Sequence, residues 1–226
     1  MTDENKQILQ DYIDSHPDIV DNLDIKKVDE DLRKLVSKYN AWYLFSDFIQ
    51  LIVDEMGLQN LLVSAKSLTL TKSPFDEVKI YDESIDVDTI WYNMFSGAHF
   101  MNDFKVKCSE WIESYAFVDS NMNGHNLIIQ ECPIIKVNAF NGIENIKSIV
   151  LPSNLKKLGF QKFTVENVIC KDITMSQFIQ LMEDSSWGRH LITSSLKVGR
   201  LLDCDVICKD GTISRFQEFD KDYNLV

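Results

Sequence analysis

Residues 135–163 read IKVNAFNGIENIKSIVLPSNLKKLGFQKF, and this stretch decides the fold. It holds one phrase twice: Ile135 is followed five positions later by Phe140, and Leu158 five positions later by Phe163. Toward the N-terminus the phrase returns as Ile112/Phe117, Ile90/Phe95 and Leu70/Phe75, so successive phenylalanines stand 20, 22, 23 and 23 residues apart. A near-constant period in the twenties marks a solenoid, whose units bury their apolar faces only against like neighbours. The phenylalanines are therefore expected to stack in one buried column. The residue before most of them is small or unbranched: Met94, Ala116, Ala139 and Lys162. Between copies lie short runs, Val78–Ile80, Phe104–Val106, Leu127–Ile129, Ile146–Ile149 and Val168–Cys170. Apolar and polar residues alternate in most of these runs, as in strands with one buried face. Each copy reads as one short strand plus one turn that inserts a phenylalanine into a shared core.

The wording of the copies carries a resemblance. WIESYAF (111–117), IIKVNAFNG (134–142) and IKSIVLPSNLKKLGFQKF (146–163) resemble the BspA-type leucine-rich repeat, whose pattern runs I-x-x-x-A-F, then a strand, then L-P-x-x-L-x-x-I. Ile135, Ala139, Phe140, Asn141 and Gly142 match its turn; Ile146, Ile149, Leu151, Pro152, Leu155 and Leu158 match the strand and its exit. DVICKDGTI (205–213) resembles the phrase that often closes such arrays. The match is good over about 111–170, looser over 66–110 and absent from 1–60, and Tyr115 and Gln161-Lys162 depart from the pattern. The resemblance implies a parallel-sheet solenoid of the protein-binding kind, and it names no partner.

Near the C-terminus Asn167–Asp172 (NVICKD) is echoed by Asp205–Asp210 (DVICKD). Between them, Phe178, Ile179, Leu181 and Met182 fall at helical spacing behind Thr174, a candidate N-cap. This reads as a repeat whose connection has grown into a helix, over 174–186, followed by a closing strand. Asp210-Gly211 is expected to turn the chain so that Ile213 and Phe216 pack back as a C-terminal cap, which shields the end of the array.

The first sixty residues have helical periodicity instead. Ile8, Tyr12 and Ile13 share a face, and His16-Pro17 breaks the pattern because the residue before proline avoids the α region. A second run starts near Asp24 with Ile25, Val28, Leu32, Leu35, Val36 and Tyr39, continues through Leu44, Phe48, Leu51 and Ile52, and stops at Gly57. Trp42, Tyr43, Phe45 and Phe48 are dense enough for core or docking surface, with core the better reading. The expected fold is thus α+β: a helical region over 1–60, then a leucine-rich-repeat solenoid with its helical insertion and closing strand over 61–226.

Charge narrows the function. Thirty-five acidic against 23 basic residues give a formal net charge of −12, which repels a phosphate backbone and argues against direct nucleic-acid binding. Residues 1–131 hold 24 acidic and 11 basic side chains; residues 132–226 hold 11 and 12. Asp76–Asp88 (DEVKIYDESIDVD) concentrates Asp76, Glu77, Asp82, Glu83, Asp86 and Asp88 against one lysine. These six are the candidate partner-binding residues; the plainer reading is a solvated face that keeps the protein soluble. The longest apolar stretch, Trp42–Val53, is interrupted by Asp47 and Gln50, so no membrane span is expected. The N-terminus has neither a basic nor an apolar leader segment, and five cysteines without a C-x-x-C suit reduced thiols in a cytoplasm.

The sequence carries no GxxxxGK[ST], GxGxxG, HExxH or GxSxG. His16, His99, His125 and His190 are scattered, and Cys204 and Cys208 lack companions for zinc. Cys170, Cys204 and Cys208 read as small buried hydrophobes. Asp86 and Asp88 lack the glycine and glutamate of a calcium loop, and nothing sets Asp82, Glu83, Asp86 and Asp88 apart as catalytic acids. The expectation is a cytoplasmic, non-catalytic interaction module without a cofactor, binding a protein partner that is basic or itself binds nucleic acid. The alternative is an acidic inhibitor of the phage or mobile-element kind that blocks a nucleic-acid-binding enzyme.

Overall fold

A computed structural model describes residues 3–19, 23–35, 38–64, 73–159, 165, 167–183 and 204–214. The expectations for Leu70, Phe163 and Phe216, and for the side chains of Val36, Tyr39, Trp42 and Met182, lie outside the described residues. Four helices are followed by a parallel β-solenoid of about four turns between residues 79 and 169, an α+β arrangement.

Helix α1 (Asp3–Ser15) buries Leu9 and Tyr12, and the Tyr12 ring meets Phe48 edge-on at 6.2 Å. Helix α2 (Ile25–Leu35) starts behind Asp24, whose carboxylate accepts the Lys27 N–H at 3.1 Å, and buries Ile25, Val28 and Leu32. Helix α3 (Lys38–Met56) buries Leu44, Phe45, Phe48, Ile49 and Ile52 and ends at Gly57, at φ 79°. The run read from Asp24 to Gly57 is therefore two helices packed on each other, because helices that bury a common seam share one apolar spacing. Leu35, placed on the core face by spacing, and Tyr43, read as core from the density of aromatics, are 54% and 53% exposed. A short helix α4 (Leu58–Ser64) follows at once.

Each coil of the solenoid contributes up to three short strands, where the sequence suggested one. Strand β1 (Lys79–Ile80) pairs in parallel with β3 (His99–Phe100), and single bridges His99–Asn121 and Asn121–Glu144 continue that strip. The main strip runs β2 (Ser84–Ile90), β4 (Phe104–Ile112), β5 (Asn126–Glu131), β7 (Ser148–Val150) and β9 (Asn167–Cys170), all parallel. The third strip consists of the ends of β2 and β4 with β6 (Ile134–Ile135) and β8 (Lys157–Leu158). Its register pairs Ile90 with Ile112, Ile112 with Ile135 and Ile135 with Leu158, the aliphatic members of the repeat phrase.

The phenylalanine column is present. Phe75–Phe95, Phe95–Phe117 and Phe117–Phe140 ring centroids lie 5.3, 5.2 and 6.0 Å apart, and all four side chains are buried. Such rings gain contact energy of about 0.5–1.5 kcal/mol per pair beyond their burial. The turn is left-handed after all four rings and also before Phe95, Phe117 and Phe140. Asn93, Tyr115 and Asn138, two residues before Phe95, Phe117 and Phe140, have φ of 55, 59 and 55°. Glu77, Gly97, Asp119 and Gly142, two residues after the four phenylalanines, have φ of 64, 72, 55 and 71°. Asparagine and glycine suit those positions, which is the physical content of the N-A-F-x-G phrase. At Gly142 a Cβ would also stand 2.3 Å from the Asp119 carboxylate. Tyr115, the departure from the pattern, leans on Tyr92 at 5.8 Å, and its hydroxyl accepts an Asn138 amide N–H at 3.2 Å. Coil-to-coil bonds such as Phe95 N–H to Ala116 C=O (2.8 Å) and Phe117 N–H to Ala139 C=O (2.9 Å) tie the turns together. The small Ala116 and Ala139, both fully buried, leave room for this approach.

On the outer face of the main strip a polar ladder follows one register level. Ser148 donates its hydroxyl to Asn126 Oδ1 at 2.6 Å, and Asn126 donates backbone and side-chain N–H groups to Asp103 at 2.8–3.1 Å. These bonds, with the Asn126 backbone first, hold the Asp103 carboxyl below the usual carboxylate range.

Beyond β9, helix α5 (Met175–Glu183) lies within the predicted 174–186. Thr174 is its N-cap: its Oγ accepts the Gln177 N–H at 3.2 Å while Gln177 Oε1 accepts the Thr174 N–H at 2.9 Å. Strand β10 (Asp205–Cys208) pairs in parallel with β9, Asp205 to Asn167 through Cys208 to Cys170, the alignment the echoed sequences suggested. Strand β11 (Gly211–Ile213) returns antiparallel, with Cys208 opposite Gly211, so the turn sits on Lys209-Asp210 and Gly211 already belongs to the strand.

Two outcomes follow from this packing. Phe117→Ala removes the ring that Phe95 and Phe140 both touch, and should cost about 3–5 kcal/mol in chemical denaturation; a loss below about 1 kcal/mol, as at ordinary surface sites, would remove the column from the core. Because the folded-state pKa of Asp103 is depressed, its stabilisation is present above its unfolded value near 3.9 and lost as pH falls through the lower folded value. Asp103→Asn should therefore lower the melting temperature at pH 7 and converge with the parent well below pH 4; a pH-independent difference would contradict the charged acceptor.

Candidate functional site

The six acidic residues read from the sequence occupy two places. Asp76 and Glu77 lie on the first phenylalanine turn, where Glu77 approaches His99 Nε2 at 3.5 Å. Asp82 and Glu83 lead into β2, a seven-residue strand whose outward positions Asp86 and Asp88 share with Ser84. Asp82 Oδ1 accepts the Leu58 N–H at the start of α4 (3.1 Å), and Glu83 lies 3.8 Å from Lys105 Nζ. Asp88 Oδ1 accepts the Ser109 hydroxyl at 2.7 Å. Lys107 stands opposite Asp86 in register, so the acidic strand is followed at once by a strand carrying two lysines. The structure brings Asp86 and Asp88 into one site and leaves Asp76 and Glu77 apart from it.

That site is an open groove of about 480 Å³ between α4 and the first coil. Leu62, Val63, Val87, Trp91 and Met94 line it with apolar surface, and Asp86, Asp88, Thr89 and Glu110 form its polar wall. Val63 is 75% exposed and Trp91 42% exposed, so the groove presents apolar surface to solvent. Thr89 donates its hydroxyl to Glu110 Oε2 at 3.0 Å, which fixes that carboxylate on the wall. Asp86, Asp88 and Glu110 have no cationic partner among the described residues. Three carboxylates around an apolar floor suit a side chain that is itself aliphatic and cationic, and the Trp91 face can add a cation–π contact. Nearby, Lys136 sits 5.0 Å from the Trp111 ring while paired with Glu113.

Helices α3 and α4 hold this groove in place by completing the sheet edge. Gln50 donates its side-chain N–H to Lys79 C=O at 3.0 Å and accepts the Lys79 N–H at 2.6 Å. Gln59 does the same for Asp86, at 2.9 and 2.7 Å. Each amide side chain thus imitates a neighbouring strand on the edge of the first coil.

Glu110, Val63 and Trp91 escaped the sequence reading. Trp91 carried a signal: by register it takes the position held by Glu113 and Lys136 in the next two copies, a solvent-facing place where an indole is out of character. Elsewhere, a hollow of about 330 Å³ beside Tyr12 and His16 contains a serine–histidine contact, Ser15 Oγ to His16 Nδ1 at 3.0 Å. Both groups also reach the Tyr12 carbonyl, at 2.8 and 2.9 Å, which is helix termination and not activation of a nucleophile. No group of three metal-ligating side chains with suitable geometry occurs among the described residues. No described helix is long and apolar enough to cross a membrane.

No protein-family model matches the chain, and neither a curated protein nor a solved structure matches it.

Proposed function

We propose that the chain is a non-catalytic protein-binding module whose groove between α4 and the first coil receives a partner segment bearing a basic side chain beside an apolar one. In this reading the solenoid is of the BspA-type leucine-rich-repeat class, with α5 and the β10–β11 hairpin as its C-terminal cap. The observation that carries the proposal is the groove itself: exposed Val63 and Trp91 beside Asp86, Asp88 and Glu110, which lack cations among the described residues. Alanine, asparagine and glycine at their expected places around the phenylalanine turn support the repeat class.

The alternative, an inhibitor of a nucleic-acid-binding enzyme, would use the same acidic half. It has less support, because Asp82 and Glu83 engage Leu58 and Lys105, Asp76 and Glu77 lie on another corner, and lysines follow on β4. Those carboxylates are divided between separate tasks instead of forming one phosphate-like row.

The test is binding kinetics with the partner recovered from native lysate, using Asp86→Asn/Asp88→Asn/Glu110→Gln and, separately, Trp91→Ala. The triple variant should slow association by about tenfold or more and flatten its salt dependence. Trp91→Ala should mainly speed dissociation, with a loss above about 1 kcal/mol. An on-rate indifferent to salt and to the triple variant would leave the acids as a solubility face and end the groove reading. A competing nucleic acid that displaces the partner in proportion to its charge would favour the inhibitor.

A further inference from the structure

All five cysteines are reduced and buried, yet they are not equivalent. Cys108 and Cys132 stand at the corner where the main strip passes into the third, one residue beyond the paired Lys107 and Glu131. Their thiols lie within hydrogen-bonding reach of each other and are also bonded to backbone carbonyls: Cys108 Sγ lies 3.1 and 3.0 Å from Asp88 and Trp111 C=O, and Cys132 Sγ lies 3.1 Å from Ile134 C=O. They satisfy carbonyls that the corner takes out of the ladder.

Cys170 and Cys208 are placed differently. They are direct register partners on β9 and β10, both facing inward, 0% and 8% exposed. Neighbouring strands lie about 4.8 Å apart, inside the roughly 4.4–6.8 Å Cα separation a disulfide spans. These two thiols also lie within hydrogen-bonding reach of each other, but among the described residues neither is bonded to a backbone carbonyl. That contact, and then burial, raises the Cys170 thiol and keeps its proton, while the same contact lowers Cys208. Cys208 is the more exposed of the two and so the first to meet a small disulfide. It lies on the last parallel strand, which pairs with β9.

We propose that Cys170 and Cys208 are a covalent modification site, a dithiol oxidised by low-molecular-weight disulfides to a cross-strand disulfide that fastens β10 to the solenoid. The Cys208 thiolate attacks one sulfur of the small disulfide, forming a mixed disulfide and expelling one small thiolate. The Cys170 thiol then gives up its proton as its sulfur attacks the Cys208 sulfur and expels the second small thiolate. Two protein thiols become one disulfide, the small disulfide is reduced to two thiols, and the two protons pass to those leaving groups. The link closes the long connection containing α5, so it restricts the unfolded chain strongly. Cys108 and Cys132, in mutual contact but each also held on a backbone carbonyl, stay reduced.

The full chain is incubated with oxidised glutathione, or with reduced glutathione as control, then alkylated, digested without reductant and mapped by mass spectrometry. The expected result is one Cys170–Cys208 cross-linked peptide, alkylated Cys108, Cys132 and Cys204, and a melting temperature raised by roughly 5–15 °C that reductant reverses. Cys204→Ser should leave link and shift intact; Cys170→Ser should stop the reaction at glutathionylated Cys208. Because the mapping uses the unaltered protein, a poorly folding variant does not blunt it. A link through Cys204, oxidation of Cys108 and Cys132 first, or no cross-link with all thiols alkylated would each overturn the proposal.

Discussion

The structure depends on the stacking of one coil on the next. A single coil of 20–23 residues cannot enclose a core; it offers one phenylalanine, one aliphatic residue and a few strand side chains, and these are buried only when the next coil repeats them in register. The Phe75–Phe95–Phe117–Phe140 column is the most direct expression of this constraint. The left-handed residues that flank these rings follow from it, because the chain must double back tightly to point every ring inward. Where the pattern is broken, as at Tyr115, neighbouring side chains compensate locally.

Stacking solves the interior and leaves the first edge open. Gln50 and Gln59 supply that edge with paired donors and acceptors, and Asp82 receives the first free N–H of α4. This docking places Leu62 and Val63 beside Trp91, and so creates the groove. The acidic stretch therefore has two roles. Part of it fastens the helices to the solenoid, and part of it faces solvent around an apolar floor. A conserved total charge would say nothing about this division; the register does.

Much of this was legible in the sequence, and the reasons are physical. Stacking requires the same residue at a constant interval, so the column and the pairing of Asn167–Cys170 with Asp205–Cys208 appeared as spacing and as an echo. The Thr174 cap was legible because capping chemistry is local. Strand β2 was hidden because carboxylates occupy its wet face and mask the inward Ile85 and Val87. The two-residue strands β6 and β8 are too short to show alternation. The break between α2 and α3 was invisible because helices that share a seam share a period. The groove could not be read at all, since Val63, Trp91 and Glu110 meet only once the helices dock and the coils stack.

The claim that the helical region completes the first edge of the solenoid is tested most directly by amide hydrogen exchange at Lys79 and Asp86. Their N–H groups bond to Gln50 and Gln59 side chains. In the parent protein both should be protected to a degree comparable with Lys105, whose N–H bonds to the Glu83 carbonyl within the coil stack. In Gln50→Ala/Gln59→Ala both should lose protection while Lys105 keeps it. Exchange at Lys79 and Asp86 as fast as in an unstructured peptide, in the parent protein, would contradict the account.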